Sequence, residues 1–236
     1  MADVPVRGEQ VVDAKDGATD PDASGDLAGT DRRLTVQGKE RKQQLLDAAA
    51  GLFADRGYDE TRVIDIVRGA GVAKGLFYWY FENKEAVFRE LVELNRRRLR
   101  RAQADAMDPA GEPLLRIRQG VEASMAFMST HAHFFALLEV ENLEKQFTDV
   151  LRRGTEVHAA DVATLVRAGI DDGSIRDEDP LVLAYGVVGV AGSYGHFHRT
   201  GRITMPVSDL AAVVGRFVVC SLAADEEIAR RVLTAS

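Results

Sequence analysis

The chain has only one cysteine, Cys220, in 236 residues. No disulfide framework can form within one copy, which fits a reducing compartment. Cys220 sits in the apolar run Phe217-Val218-Val219-Cys220 with no basic neighbour in sequence to activate it, so a small core residue is expected rather than a reactive thiol. Long apolar runs are also missing. Outside one Gly- and His-containing stretch, no uncharged run reaches about eighteen residues, which excludes a membrane-spanning helix. The polar, acidic N-terminus lacks the apolar centre of a secretory signal, and a cytoplasmic location is expected. There is no Gly-rich phosphate loop, no metal motif of sound spacing and no Ser-His-Asp context, so an enzyme is not expected, nor any cofactor. A basic surplus is absent as well: the formal net charge is −7, which excludes a generally basic nucleic-acid coat but not a local basic cluster.

Alternating strand patterns bounded by hairpin turns do not occur either, and the periodicity that is present is helical. The fold class read from it is all-α. Residues 1–36 carry eight acidic and four basic side chains with no apolar periodicity, and read as a disordered acidic tail. Within that tail, Arg32 and Arg33 stand close to the first helix, where an N-terminal arm would reach a phosphate or the minor groove. A first helix over about 38–56 places Leu45, Ala49, Leu52 and Phe53 on one face, with Gly57 as its stop. Further helices are expected over about 84–106, from Leu114 onward, over about 152–170, from Asp179-Pro180 to about 199, and as one long segment over about 207–231.

Residues 61–85, TRVIDIVRGAGVAKGLFYWYFENKE, are the most informative stretch. Val63, Ile66, Val67 and Ala70 form one apolar stripe of a short helix. Thr61 is placed to cap it, and Asn83 to cap the helix that follows the stretch. Gly71 stands where a turn needs a left-handed backbone. A second short helix, about 73–79, carries Lys74, Gly75, Tyr78, Trp79 and Tyr80, groups suited to base edges and phosphates, while Phe77 and Phe81 fall inward. Helix, Gly turn and aromatic second helix are the grammar of a helix-turn-helix.

Gly-Val-Ala-Lys-Gly at 71–75, Phe-Tyr-Trp-Tyr-Phe at 77–81, Asn-Lys-Glu at 83–85 and Ala-Ala-Gly-Leu-Phe-Ala-Asp-Arg-Gly-Tyr at 49–58 resemble the signature of the TetR family of transcription regulators. The resemblance spans residues 38–88 in order and spacing. It implies a three-helix DNA-binding head over 37–84 and a helical ligand-binding and dimerisation region over 85–236. It further implies that Lys74, Gly75, Leu76, Tyr78, Trp79 and Tyr80 face the DNA, with Thr61, Arg62 and Lys84 on backbone phosphates. Two positions depart from the family pattern: Ala73 stands where Ser or Thr is frequent, and Leu76 where Thr is frequent. A leucine can meet a thymine methyl but cannot donate a hydrogen bond, so base preference does not transfer.

The expected function is therefore a sequence-specific transcriptional regulator, a repressor released from a palindromic operator by a small molecule. The alternatives are an architectural or constitutive DNA binder and a small helical enzyme. One helix-turn-helix covers few base pairs, so a homodimer on double-stranded DNA is expected. Gly186, Gly189, Gly192 and Gly195 imply close helix approach, in a partner or in the core, or else a kink. The expected interface residues are Gly189, Gly192, His196, Val214, Phe217 and Val218. The expected effector-pocket residues are His131, Phe134, Phe135, Glu139, Asn142 and Tyr185. Two His-x-His pairs, at 131/133 and 196/198, do not share a helix face, because i and i+2 diverge by about 200°, and no metal site is expected. Six Arg against two Glu over 89–101 leave open either a solvated helix face or an electrostatic role near DNA.

Overall fold

The computed structural model describes residues 35–139 and 145–235, so residues 1–34 of the tail expected over 1–36, and Asn142, lie outside the described residues, while Thr35 and Val36 belong to the start of the first helix. Ten helices and no strand occur among the described residues. Helix α1, Val36–Arg56, opens at Thr35, whose hydroxyl accepts from Gly38 N at 3.1 Å, two residues earlier than the periodicity indicates. It stops at Gly57, which has φ +85° and donates its N–H to Phe53 O. Helix α2, Val63–Gly69, follows. Its first turn is fixed by the Asp65 carboxylate, which accepts from Arg62 N at 3.1 Å. Thr61, expected as its cap, does something else, as described below. The turn to α3, Lys74–Tyr80, passes through Gly71 at φ +64°, a region that costs glycine nothing.

Helix α4, Lys84–Ala106, is capped by Asn83, whose side chain accepts from Ala86 N at 2.9 Å. Then come α5 (Pro113–Thr130), the short α6 (Ala132–Leu138), α7 (Thr148–Asp171) and α8 (Pro180–Arg199). The Asp179 carboxylate caps α8 through Leu181 N and Val182 N, with Pro180 in the first turn.

The single helix expected over 207–231 is two: α9, Val207–Leu222, and α10, Glu226–Thr234. Ala223 leaves helical geometry because its neighbourhood pairs with the α7–α8 loop: Arg176 N donates to Leu222 O and Ala224 N to Ser174 O. Asp225 then starts α10 by accepting from Ile228 N at 2.8 Å. Apolar periodicity runs through this break and conceals it.

Two apolar cores result. One joins α5, α7, α8, α9 and α10 around Leu114, Met125, Val166, Leu210, Val214 and Val218. The other fills the space among α1–α4 with Leu45, Phe53, Ile66, Phe77 and Phe88, and it takes in Leu137 of α6 and Phe147 just before α7. Each such side chain, fully withdrawn from water, contributes about 1.5–3 kcal/mol. The core of the three-helix head is thus closed partly by residues that follow it by some fifty positions in the chain.

Candidate nucleic-acid interface and inner cavity

The alternation of apolar and aromatic residues in α3 sorts its side chains. Phe77 is fully buried and Phe81 nearly so, while Tyr78 and Trp79 are each 52% exposed. Lys74 and Gly75 are exposed and Leu76 is half-buried. A Cβ on Gly75 would meet nothing within 4 Å, so its bare backbone is open to close approach. Lys74 Nζ lies 5.9 Å from the Tyr78 ring centroid, and Trp79 stands edge-on to the half-buried Tyr80 at 4.5 Å. Arg62 is exposed at the start of α2. One helix therefore presents a cation, an open glycine and two large half-bare aromatics on one side and anchors itself through two phenylalanines on the other.

Two expected phosphate contacts require correction or qualification. Thr61 is 0% exposed, and its hydroxyl lies 2.7 Å from Gly57 O and 3.3 Å from Leu52 O. It ties the end of α1 to α2 and cannot reach a phosphate. The Lys84 ammonium donates to Tyr58 O at 2.6 Å and Asp59 O at 3.3 Å and sits 4.1 Å from the Tyr58 ring centroid. Burial lowers its pKa, opposed by Asp59, Glu60 and Glu85. Two of its three donors are committed to the α1–α2 loop, which leaves one for an outside oxygen. The Tyr58 phenol is pushed up to about 12, first by burial and then by Glu85 and Asp59. It stays neutral within an aromatic group with Phe53, Phe88 and Phe147.

Much of the arginine run on α4 is compensated. Arg96 pairs with Glu93, Arg97 with Glu90, and Arg101 with Asp105, and Arg100 bridges to Asp161 of α7 at 2.9 Å. The positive strip is therefore largely a set of ion pairs, which at such exposed positions contribute little individually.

A cavity of about 280 Å³ lies between α4, α6, α7 and Val188 of α8. Phe134 and Phe135, two of the residues named for an effector pocket, line this cavity. The other residues expected there do other work. His131 stacks on Phe127 at 3.9 Å, with its Nδ1 3.0 Å from Phe127 O. Glu139 pairs with Arg199 and with His196, whose Nδ1 is 3.0 Å away, and Tyr185 is exposed on α8. Missed by sequence reasoning were Asn95, Arg96 and Arg100 of α4 and Thr155 and His158 of α7, the polar part of the wall. One signal was available: Leu151, His158, Val162 and Leu165 share a stripe of α7, in which His158 is the one titratable side chain.

Of the expected interface residues, Val214 and Val218 are 0% exposed and belong to the inner core, which rules them out as partner contacts. Phe217, at the flank of that buried stripe of α9, is 52% exposed. Gly189 and Gly192 are exposed on α8 with open space above them, as is Gly186, whereas Gly195 faces Met128, whose Sδ would be 2.9 Å from an added Cβ. The glycine series thus serves two faces. His196 is half-buried and held by Glu139. Cys220, expected in the core, is exposed, because α9 turns Val219 rather than its neighbour inward.

An exposed aromatic helix set on a three-helix core, continuous with a helical body that carries a cavity, defines a helix-turn-helix DNA-binding architecture with an all-helical body. Residues 45–91 match the sequence model described as "Bacterial regulatory proteins, tetR family". The chain is 31% identical over 132 residues to the HTH-type transcriptional regulator YdgC of Bacillus subtilis, covering 52% of this chain and 68% of that protein. It is 30% identical over 158 residues to the HTH-type transcriptional repressor KstR2 of Mycobacterium tuberculosis, covering 65% and 78%. A putative TetR-family transcriptional regulator from Rhodococcus sp. superposes with a TM-score of 0.69 at 19% identity, over 78% of this chain and all of that one. The chain belongs to the tetR family of bacterial regulatory proteins and is a DNA-binding transcriptional regulator. Among the described residues no helix is long and apolar enough to cross a membrane.

Proposed function

We propose that this chain is a homodimeric repressor that grips a palindromic operator through residues 37–84 and is released when a small molecule enters the cavity of residues 85–236. The observation that carries this reading is a shared wall. Phe134, Leu138 and Leu151 line the cavity and also pack against the core of the DNA-reading head. A ligand that displaces them must shift α6, which lies against α1, and the start of α7, where Phe147 meets Tyr58 and Phe88. The head then turns relative to its symmetry mate, and two reading helices set for adjacent major grooves lose register.

DNA is met by Arg62, Lys74, Gly75, Leu76, Tyr78, Trp79 and Tyr80, with the third donor of Lys84 on a phosphate. The dimer face consists of the open side of α8, with Val182, Tyr185, Gly186 and Gly189, together with Phe217 of α9. Repression follows from occupancy, since a dimer clamped on a promoter blocks polymerase, and KstR2 is itself named a repressor. A coupling of about 1–3 kcal/mol between the two sites changes operator occupancy several-fold to about a hundredfold.

The test is a footprint on promoter DNA followed by anisotropy titration with the recovered site. Two chains on an inverted repeat, displaced by some member of a metabolite panel, is the expected result. Equal affinity for random DNA, or binding that no ligand alters, would overturn the reading.

A further inference from the structure

The polar side of the cavity has a specific composition. Along α4 the lining passes from Val92 to Asn95 and Arg96 and on to Arg100. Opposite, on α7, stand Gly154 and His158. Asn95 is buried and donates its amide to Leu91 O, which leaves its carbonyl oxygen as an acceptor. Arg100 is spent on Asp161, with both guanidinium contacts at 2.9 Å. Arg96 gives one nitrogen to Glu93 at 2.6 Å, and its other N–H donors have no partner among the described residues. Its stem lies over Gly154, where an added Cβ would sit 3.4 Å from Arg96 Cδ. A glycine in the middle of a long helix costs roughly 0.5–1 kcal/mol against alanine. Here it lets the guanidinium cross α7 beside the cavity. His158 makes no hydrogen bond to the described protein. Burial lowers its pKa, Asp161 opposes this, and Arg100 and Arg96 reinforce it. At neutral pH the imidazole is an uncharged donor facing the same space. Thr155 also lines the wall, but its hydroxyl donates to Leu151 O at 3.3 Å, and Phe134, Phe135, Leu138 and Leu151 offer no hydrogen-bonding side chain.

We infer that the cavity takes a monocarboxylate with an apolar body: the carboxylate accepts from Arg96 and His158, and the hydrocarbon lies against Phe134, Phe135 and Leu138. This rests on the effector reading above and narrows it to a chemical class. A neutral apolar ligand would cover the Arg96 donors and the imidazole N–H, displacing water from them and giving no acceptor in its place, which costs free energy. At about 280 Å³ the space is at the low end for small-molecule sites, ~300–1,000 Å³, and suits a single chain or ring rather than a nucleotide-sized group.

The test is direct binding by calorimetry to the full chain, with decanoate against decan-1-ol and phenylbutanoate against phenylbutanol. In each pair the carboxylate should bind at least about tenfold more tightly, as expected for charge-assisted bonds. Arg96→Gln and, separately, the volume-conserving His158→Phe should each shrink that preference to about threefold or less while the alcohol's affinity holds. Thermal melts of both variants verify folding, and Gly154→Val, which displaces Arg96 without removing it, provides a third route. Equal binding of acid and alcohol, no binding of either acid, or a preference that survives all three variants would overturn the assignment. A carboxylate that binds as described but leaves operator affinity unchanged would keep this inference and sink the release mechanism. Release by a neutral ligand alone would do the reverse.

Discussion

At the scale of single residues, adjacent positions of α3 have opposite tasks. Phe77 is buried at 0% exposure and Trp79 is half-bare. Phe77→Ala should therefore cost about 3–5 kcal/mol of folding stability by emptying the head core, read as a shift in the urea midpoint. Trp79→Ala should change stability by less than about 1 kcal/mol and abolish tight operator binding, read by anisotropy on the same DNA. Thr61 separates a structural from an electrostatic role. Thr61→Val strands the Gly57 and Leu52 carbonyls and should cost about 1–3 kcal/mol, while the slope of log affinity against log salt stays as in the parent, since no phosphate contact is lost. A shallower slope would restore Thr61 to the DNA surface. The sequence shows which aromatics of α3 point inward, because helical spacing alone decides it. It does not show Thr61's burial, which depends on the α1–α2 loop folding back over its hydroxyl. His158 provides a pH signature. Its native pKa lies below the ordinary 6.5, so below that value the unfolded chain takes up a proton first. The native state then loses stability as pH falls, until the native imidazole protonates as well. Above pH 6.5 the effect is absent. His158→Asn should lose less stability than the parent between pH 7.5 and 5, compared by urea unfolding at both.

At the scale of elements, caps and turns were legible where a single side chain makes the signal. Gly57, Asn83 and Asp179 each mark a boundary that the structure places there. The break between α9 and α10 was not legible, because its cause is tertiary: the backbone of 174–176 competes for the end of α9. Asp225 holds the new helix start, and Asp225→Ala should cost about 1 kcal/mol. The loss should appear as faster amide exchange across 226–234 rather than across α9, because the α7–α8 loop, not this carboxylate, terminates α9. Equal acceleration in both helices would show that the two behave as one unit. The cavity wall was legible in its aromatic half, where Phe134 and Phe135 stand out in sequence. The polar half was hidden, because Asn95, Arg96 and His158 become neighbours only when α4 and α7 lie side by side.

At the scale of the whole molecule, the proposed dimer would supply the second reading head. The open side of α8 exposes Val182, Tyr185 and three glycines with free space above them, and Phe217 of α9 adds a ring that is 52% exposed. Glycines without Cβ contacts inside their own protomer gain nothing for the monomer and cost helix stability, so closeness to a second copy is the compensation that fits them. Phe217→Glu places a charge on that face and leaves the inner core, filled by the buried Val214 and Val218, intact, because Phe217 is 52% exposed at its flank. The variant should keep its helical circular dichroism. It should sediment as a monomer at micromolar concentration and bind a single half-site only at the level of non-specific DNA. A variant that stays dimeric with operator affinity intact would move the interface off this face. One that dissociates yet still holds the full operator tightly would show that each head is sufficient alone.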